Sequence, residues 1–264
     1  MEPVGALKTT LGGAEAPWTA VGPRDARAIV FIHGTRLTRS QWSPQMRLLS
    51  SRFRCIAVDL PGHGVLAGQT FTRDAAADVV ASAIEAETAD RRAVVVGLSL
   101  GGYVAIDTAE RHPERVAGLV LSGCSAEPVG PVVLPFLALA WVLEHAPARA
   151  LDAVNRWYFR FRYPARLAQP IVEGGFWGLG GAQALRTLVA GRFLDRAAWL
   201  WTPVLVVNGA LDPVFGPGGD TLASACRSGR HAVVRRAMHL VPLDRPRTFS
   251  RLVARFTDEV VRAG

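Results

Sequence analysis

The sequence predicts an α/β fold: a mostly parallel central sheet with helices on both faces, plus one helical insertion. Three observations carry this expectation. Short apolar, β-branched runs alternate with helix-spaced segments through most of the chain, as strands buried on both faces and their crossover helices should. The run Val94-Val95-Val96 passes through Gly97-Leu98-Ser99-Leu100-Gly101-Gly102 directly into a helical pattern. The alternation then stops between Ala126 and Ala198, where no convincing buried strand can be read, and resumes afterwards. The expected division is therefore a core of residues 1–125 and 199–264, with 126–198 as a helical cap over the strand ends.

In order along the chain, Ala6–Thr10 and Pro17–Val21 are strand-like and flank Gly12-Gly13, which predicts an edge hairpin. Ala28–Ile32 is a continuous apolar strand that ends abruptly at His33-Gly34-Thr35-Arg36. Gln41–Ser51 places Trp42, Met46 and Leu49 at helical spacing, and Cys55–Val58 is the next strand, closed by Asp59-Leu60-Pro61-Gly62-His63-Gly64. Phe71–Thr88 reads as an alanine-rich helix capped by Thr70 or Thr72. The helix after Ser99 must stop near His112, because Pro113 cannot continue it. Val116–Leu121 is the following strand.

Within the insertion, Val132–Leu143 is an apolar helical run. Two aromatic groups follow, Trp157-Tyr158-Phe159 and Phe176-Trp177, while Gly174-Gly175, Gly178 and Gly180-Gly181 are expected as hinges or turns. Trp157, Phe159, Phe176 and Trp177 are candidates to line a substrate pocket beneath the insertion. The core resumes with the strand Pro203–Asn208, a helix at Leu222–Cys226, a last strand at Ala232–Val234 and a terminal amphipathic helix over Leu243–Val261.

Composition narrows the function. The formal net charge is +8, Lys8 is the sole lysine, and the arginines are scattered. No basic run interleaved with stacking aromatics marks a nucleic-acid surface. Cys55, Cys124 and Cys226 are far apart and lack metal-ligand spacing, so buried free thiols are expected. No apolar stretch reaches the roughly 20 residues of a membrane span, and the N-terminus has no signal-peptide pattern, which predicts a cytoplasmic protein without an integral membrane segment. No phosphate-binding glycine loop or H-E-x-x-H pattern is present, so no metal or other cofactor is expected. The partner expected is a small-molecule substrate; the oligomeric state stays open.

The chemistry centres on Ser99. A strand–turn–helix with the G-x-S-x-G pattern strains the serine and lifts its hydroxyl above the sheet, and it aims the Leu100 amide at developing negative charge. A serine hydroxyl is a weak nucleophile and needs a base, which in turn needs an acid to fix its tautomer. Asp212 follows a buried strand in a Gly/Pro turn, and His239 follows the last strand in a loop. The order Ser99, Asp212, His239 is the one that accompanies such an elbow. Asp59 and Glu127 are rival acids at strand ends. His33 and His63 read as loop hydrogen-bonders, and His145 and His231 as surface residues.

With these residues in view, the chain resembles the α/β-hydrolase-fold superfamily from about Ala28 to Phe256. His33-Gly34 is similar to the family's oxyanion loop, Asp59–Gly64 to its D-x-P-G-x-G turn, Gly97–Gly102 to its elbow, Gly209–Asp212 to its acid turn, and His239 with Asp244 and Pro246 to its H-x4-[ED]-x-P ending. The resemblance implies Ser99 as nucleophile, His239 as general base and acid, and Asp212 as the orienting carboxylate. It implies an oxyanion hole from the Leu100 and Thr35 amides, with Arg36 the neighbouring alternative to Thr35. It excludes the aspartate-nucleophile chemistry of related dehalogenases and epoxide hydrolases. The leading expectation is hydrolysis of an ester, thioester or lactone through an acyl-serine. Alternatives are C–C bond hydrolysis beside a carbonyl, with Arg36, Arg160 or Arg162 holding a carboxylate; cofactor-free perhydrolysis; and non-catalytic binding of a small molecule.

Overall fold

The computed structural model describes residues 10–11, 14–189 and 191–262. Two short strands, β1 (Thr10–Leu11) and β2 (Ala14–Glu15), pair with one another. The main sheet has seven strands: β3 (Trp18–Val21), β4 (Ala28–Ile32), β5 (Arg54–Val58), β6 (Ala93–Leu98), β7 (Val116–Ser122), β8 (Val204–Gly209) and β9 (Gly229–Val234). Their order is β3-β5-β4-β6-β7-β8-β9, and all pairings are parallel except β3 with β5. Trp18–Val21 is thus an edge strand lying against Arg54–Val58 rather than the arm of a hairpin with Ala6–Thr10, most of which lies outside the described residues. From β4 the chain builds outward to β5 and then returns to lay β6 on β4's other side. That reversal opens a crevice at the carboxyl ends of β4 and β6, the place where such sheets bind ligands.

Strands β4 to β8 are mostly apolar because both faces are covered. Along β4, Ala28, Val30 and Ile32 enter one hydrophobic cluster while Ile29 and Phe31 enter the other, the two-residue alternation of a pleated strand. The first cluster takes in Val80 and Ile84 of α2 (Arg73–Glu87) and Val104 of α3 (Leu100–Arg111). The second takes in Met46 of α1 (Ser43–Leu49) and Phe249 and Val253 of the terminal helix. Thr72 caps α2, its hydroxyl accepting from the Ala75 amide. The three cysteines are buried and unpaired.

Between β7 and β8 the described residues form no strand. They form α4 (Val133–His145), α5 (Ala148–Arg162), α6 (Ala165–Gly174), α7 (Gly178–Leu188) and α8 (Phe193–Ala198). Gly178, Gly180 and Gly181 are neither hinges nor connecting turns: they lie in the first turns of helix α7, where two of them allow close approach. A Cβ on Gly180 would lie 2.1 Å from the Gly62 carbonyl oxygen, and one on Gly181 would lie 2.7 Å from Arg36 Cγ. Ala140, Leu143, Ala182 and Leu185 belong to the same cluster as α2 and α3, so this helical segment is packed onto the sheet layer and shares its core. After β8 come α9 (Gly219–Ala225), then β9, α10 (Val241–Asp244) and α11 (Pro246–Arg262). Among the described residues no single helix is long and apolar enough to cross a membrane.

Candidate active site

Ser99 stands between the last residue of β6 and the first of α3, with φ 54° and ψ −118°. A non-glycine residue at positive φ costs about 1–3 kcal/mol and persists only where its surroundings hold it. Here the Ser99 amide donates to the Ser122 carbonyl (2.8 Å), and the Gly102 amide donates to the Ser99 carbonyl (2.9 Å). The glycines around it are steric requirements. A Cβ on Gly97 would fall 2.1 Å from the Gly101 carbonyl oxygen, and one on Gly102 would fall 2.2 Å from Cys124 Sγ.

His239 lies in the loop between β9 and α10, and its Nδ1 is 3.1 Å from Asp212 Oδ2. Asp212 Oδ1 accepts from the amides of Val214 (3.0 Å) and Phe215 (3.1 Å). Burial raises the Asp212 carboxyl, but His239 and these two amides outweigh it, so the pKa lies below the ordinary carboxylate range. The Asp212 side chain is 2% exposed and that of His239 is 34% exposed, so the pair is anchored on its acid side and open on the other. The ring of Phe215 stacks on His239 with centroids 4.8 Å apart. Gly123 (φ +59°) leaves the space the imidazole occupies, since a Cβ there would lie 2.8 Å from His239 Cε1. Ser99 and His239 line the same cavity without a hydrogen bond between their side chains, the looser spacing common in substrate-free sites.

The loop after β4 is held by buried histidines. The Leu60 amide donates to His33 Nε2 (3.1 Å), which leaves Nδ1–H to donate to the Gly34 carbonyl (2.9 Å). The His63 ring lies 4.9 Å from His33 and its Nδ1 contacts the Pro61 carbonyl. Burial lowers His33 to about 4, against the Gly34 bond that raises it; burial, then the neighbouring His33, lowers His63 to about 3. Both pKa values fall below the 6.5 of an unfolded histidine, so the unfolded chain binds protons that the folded chain refuses. The stability they contribute is complete above pH 6.5 and is lost as pH falls toward their folded values. His63→Asn, which keeps a donor but cannot titrate, should flatten the slope of unfolding free energy against pH between about 6 and 4 by about one proton. Denaturant melts across that window read this directly; an unchanged slope would mean His63 does not refuse the proton.

The cavity beside Ser99 has a volume of about 480 Å³. Thr35, Arg36, Asp212, His239 and Phe159 line it with Ser99. Leu100 begins α3, so its amide is among those a helix leaves without an internal acceptor. The Gly34 amide is taken by Gln41 Oε1 (3.0 Å). Three residues expected to hold substrate stand elsewhere. Trp157 is 63% exposed and stacks outward on Phe161. Phe176 packs behind Phe159, centroids 5.5 Å apart, and lines with Trp177 a separate hollow beside Gly62 and Gln183.

Both rival acids have structural partners. Asp59 accepts from the Arg39 and Val65 amides, and Glu127 accepts from the amides of Phe193 and Leu194 at the start of α8. His231 is not at the surface: its side chain is 8% exposed and it contacts Asp220. The sequence reading missed the rest of the lining, including Phe136, Leu139, Asn155 and Leu185. Asn155 and Phe159 are one helical turn apart on α5, the one signal that marks its inward face. Among the described residues no group of three or more His, Cys, Asp or Glu side chains is placed to hold a metal ion.

Known proteins resemble this chain in sequence and fold. The profile of the alpha/beta hydrolase family matches residues 29–252. The chain is 28% identical to a pimeloyl-[acyl-carrier protein] methyl ester esterase of Neisseria meningitidis, over 90% of this chain and 96% of that one. It is 30% identical to the protein of the same name from Edwardsiella ictaluri, over 88% and 93%. Among solved structures it resembles a thermophilic esterase from Thermogutta terrifontis, with a TM-score of 0.76 and 24% identity over 96% of this chain and 97% of that one. It also resembles the enol-lactonase of Burkholderia xenovorans, with a TM-score of 0.75 and 25% identity over 90% and 95%.

Proposed function

We propose, from the premise that this chain belongs to the alpha/beta hydrolase family and is an esterase-like hydrolase, that it cleaves a carboxylic ester, thioester or lactone through an acyl-serine intermediate on Ser99. The observation that carries this reading is the His239–Asp212 bond of 3.1 Å opening onto the cavity that the strained Ser99 also lines. Asp212 fixes the proton of His239 on Nδ1, so Nε2 offers its lone pair. As Ser99 Oγ attacks the carbonyl carbon, Nε2 takes the hydroxyl proton. The carbonyl oxygen, now negative, is met by the amides of Leu100 and Thr35, each worth about 3 kcal/mol in such a site. The tetrahedral species collapses, the C–O or C–S bond breaks, and the departing group receives the proton from His239. Water then attacks the acyl-serine with His239 again as base, releasing the acid and restoring Ser99.

The helical segment of residues 126–198 acts as a cap, giving the cavity its apolar wall through Phe136, Leu139, Phe159 and Leu185. A small to medium acyl chain fits that wall. The activity in the relatives' name, cleavage of a methyl ester, falls within this reading.

A fluorophosphonate probe tests it. The protein should gain the probe's mass once per chain, on the peptide that contains Ser99. Folded protein that stays unlabelled, or labels on another residue, contradicts the acyl-serine.

A further inference from the structure

Arg36 is the charge in this cavity that the triad does not use. Asp212, the other fixed charge on its lining, is committed on both oxygens, to His239 and to the amides of Val214 and Phe215. Other partly or fully covered arginines of this protein meet acids: Arg39 meets Glu15 and Asp59, Arg54 meets Glu87, and Arg73 and Arg196 both meet Asp107. Arg36 has no carboxylate within ion-pair distance among the described residues. Its Nη1 donates to the neutral Asn155 Oδ1 at 2.8 Å, and its Nε is buried without a partner. Burial lowers its pKa with no anion to oppose the shift.

The fold nevertheless goes to some length to keep the guanidinium there. Arg36 sits at φ 67°, a conformation unfavourable for any residue with a Cβ. The Trp177 amide fastens its carbonyl at 2.9 Å. Gly181 on α7 leaves the space its aliphatic stem fills. A cation held at the wall of an apolar cavity, bonded to the protein through one nitrogen only and with Nε buried unpaired, is costly unless an anion arrives.

We infer that Arg36, braced by Asn155, is the receptor for a carboxylate on the substrate, so that the substrate class is an ester, thioester or lactone whose acyl chain carries a second, ionised carboxyl group across an apolar spacer. This rests on the reading of Ser99 as nucleophile for the chemistry it serves, while the anion site itself stands on Arg36 alone. The spacer packs against Phe136, Leu139, Phe159 and Leu185, and the carboxylate takes Nη2, the guanidinium nitrogen that is neither buried nor held by Asn155. Arg160 and Arg162 do not compete for the role: both are exposed, and Arg162 is engaged by Asp244.

The test uses monomethyl esters of succinic, glutaric and adipic acid beside the matching methyl esters that end in a carboxamide, an uncharged isostere. At the best spacer length the carboxylate member should be preferred in kcat/KM by roughly 30-fold, about 2 kcal/mol at 1.4 kcal/mol per tenfold. Arg36→Gln should collapse that ratio to near one, and Arg36→Lys should recover part of it. A wild-type ratio at or below one, or a ratio that Arg36→Gln leaves standing, overturns the proposal even if the neutral esters are hydrolysed well. Binding separates the two readings. In Ser99→Ala protein, calorimetric titration with the preferred monoester should show binding that the added Arg36→Gln change removes. Binding that survives the added change overturns the carboxylate site. Charge-dependent binding by a wild-type protein that turns over no ester leaves the site standing and the acyl-serine reading refuted.

Discussion

Ser99→Ala and His239→Ala should each lower kcat on an activated ester by about a millionfold, and the double variant should be no slower than the slower single one. In the proposed mechanism the two side chains act in one step: without the base the hydroxyl stays protonated, and without the hydroxyl the base has nothing to activate. Losses that belong to one event do not add. What remains should be the modest acceleration from binding and from the proposed oxyanion amides of Leu100 and Thr35, whose backbone neither substitution removes. Burst kinetics with a p-nitrophenyl ester measures this. Losses that multiply in the double variant would mean that Ser99 and His239 serve separate steps. A Ser99→Ala protein keeping a tenth of its turnover would remove Ser99 from the reaction.

Gly101→Ala should be among the most damaging single methyl additions in the core. Its Cβ would stand 2.2 Å from the Ile32 carbonyl oxygen and 2.8 Å from that of His33. Both are backbone atoms at the carboxyl end of β4, which is locked between β5 and β6, so no side chain can rotate to make room. We expect a loss of about 3 kcal/mol or more, at the upper end of overpacking costs. That corresponds to a fall in Tm of roughly 10 °C. Gly68→Ala is the control, because a Cβ there meets nothing within 4 Å. Thermal melts of the two proteins should differ by nearly the whole effect; equal melting points would show that the elbow has slack the distances deny.

Much of this was legible in the chain. Strands buried on both faces read as unbroken apolar runs, so β4 through β8 sit close to where Ala28–Ile32, Cys55–Val58, Val94–Val96, Val116–Leu121 and Pro203–Asn208 place them. Asp212 and His239 stand out because each follows such a run by a few residues, and strand ends share one edge of a parallel sheet. What the sequence hides is orientation. Glycines that admit a close neighbour look the same in sequence as glycines that turn a chain, so Gly180 and Gly181 read as a hinge or turn. The α4 run is apolar nearly all round, and nothing in VLPFLALAWVLEH says that Phe136 faces in while Trp141 is 58% exposed. On α5 the aromatics drew attention, but the small polar Asn155 one turn before Phe159 marks the inward face. The partner of β3 was equally hidden, because an edge strand's pairing is decided by the sheet it joins.

Asp244 gives the helical segment a property of another kind. Its side chain, 1% exposed, receives Arg162 (2.8 Å) and Tyr163 (3.0 Å) from the end of α5 on one oxygen. On the other it receives the amide of Met238 (2.7 Å), the residue before His239. One carboxylate therefore ties the segment that shapes the cavity to the loop that carries the histidine. The segment is not a freely exchangeable cassette. A graft that brought in another protein's residues 126–198 without an arginine and a tyrosine in these places would strand a buried charge beside His239. Point changes along α4 and α5 alter the cavity wall without disturbing this tie, whereas wholesale replacement breaks it.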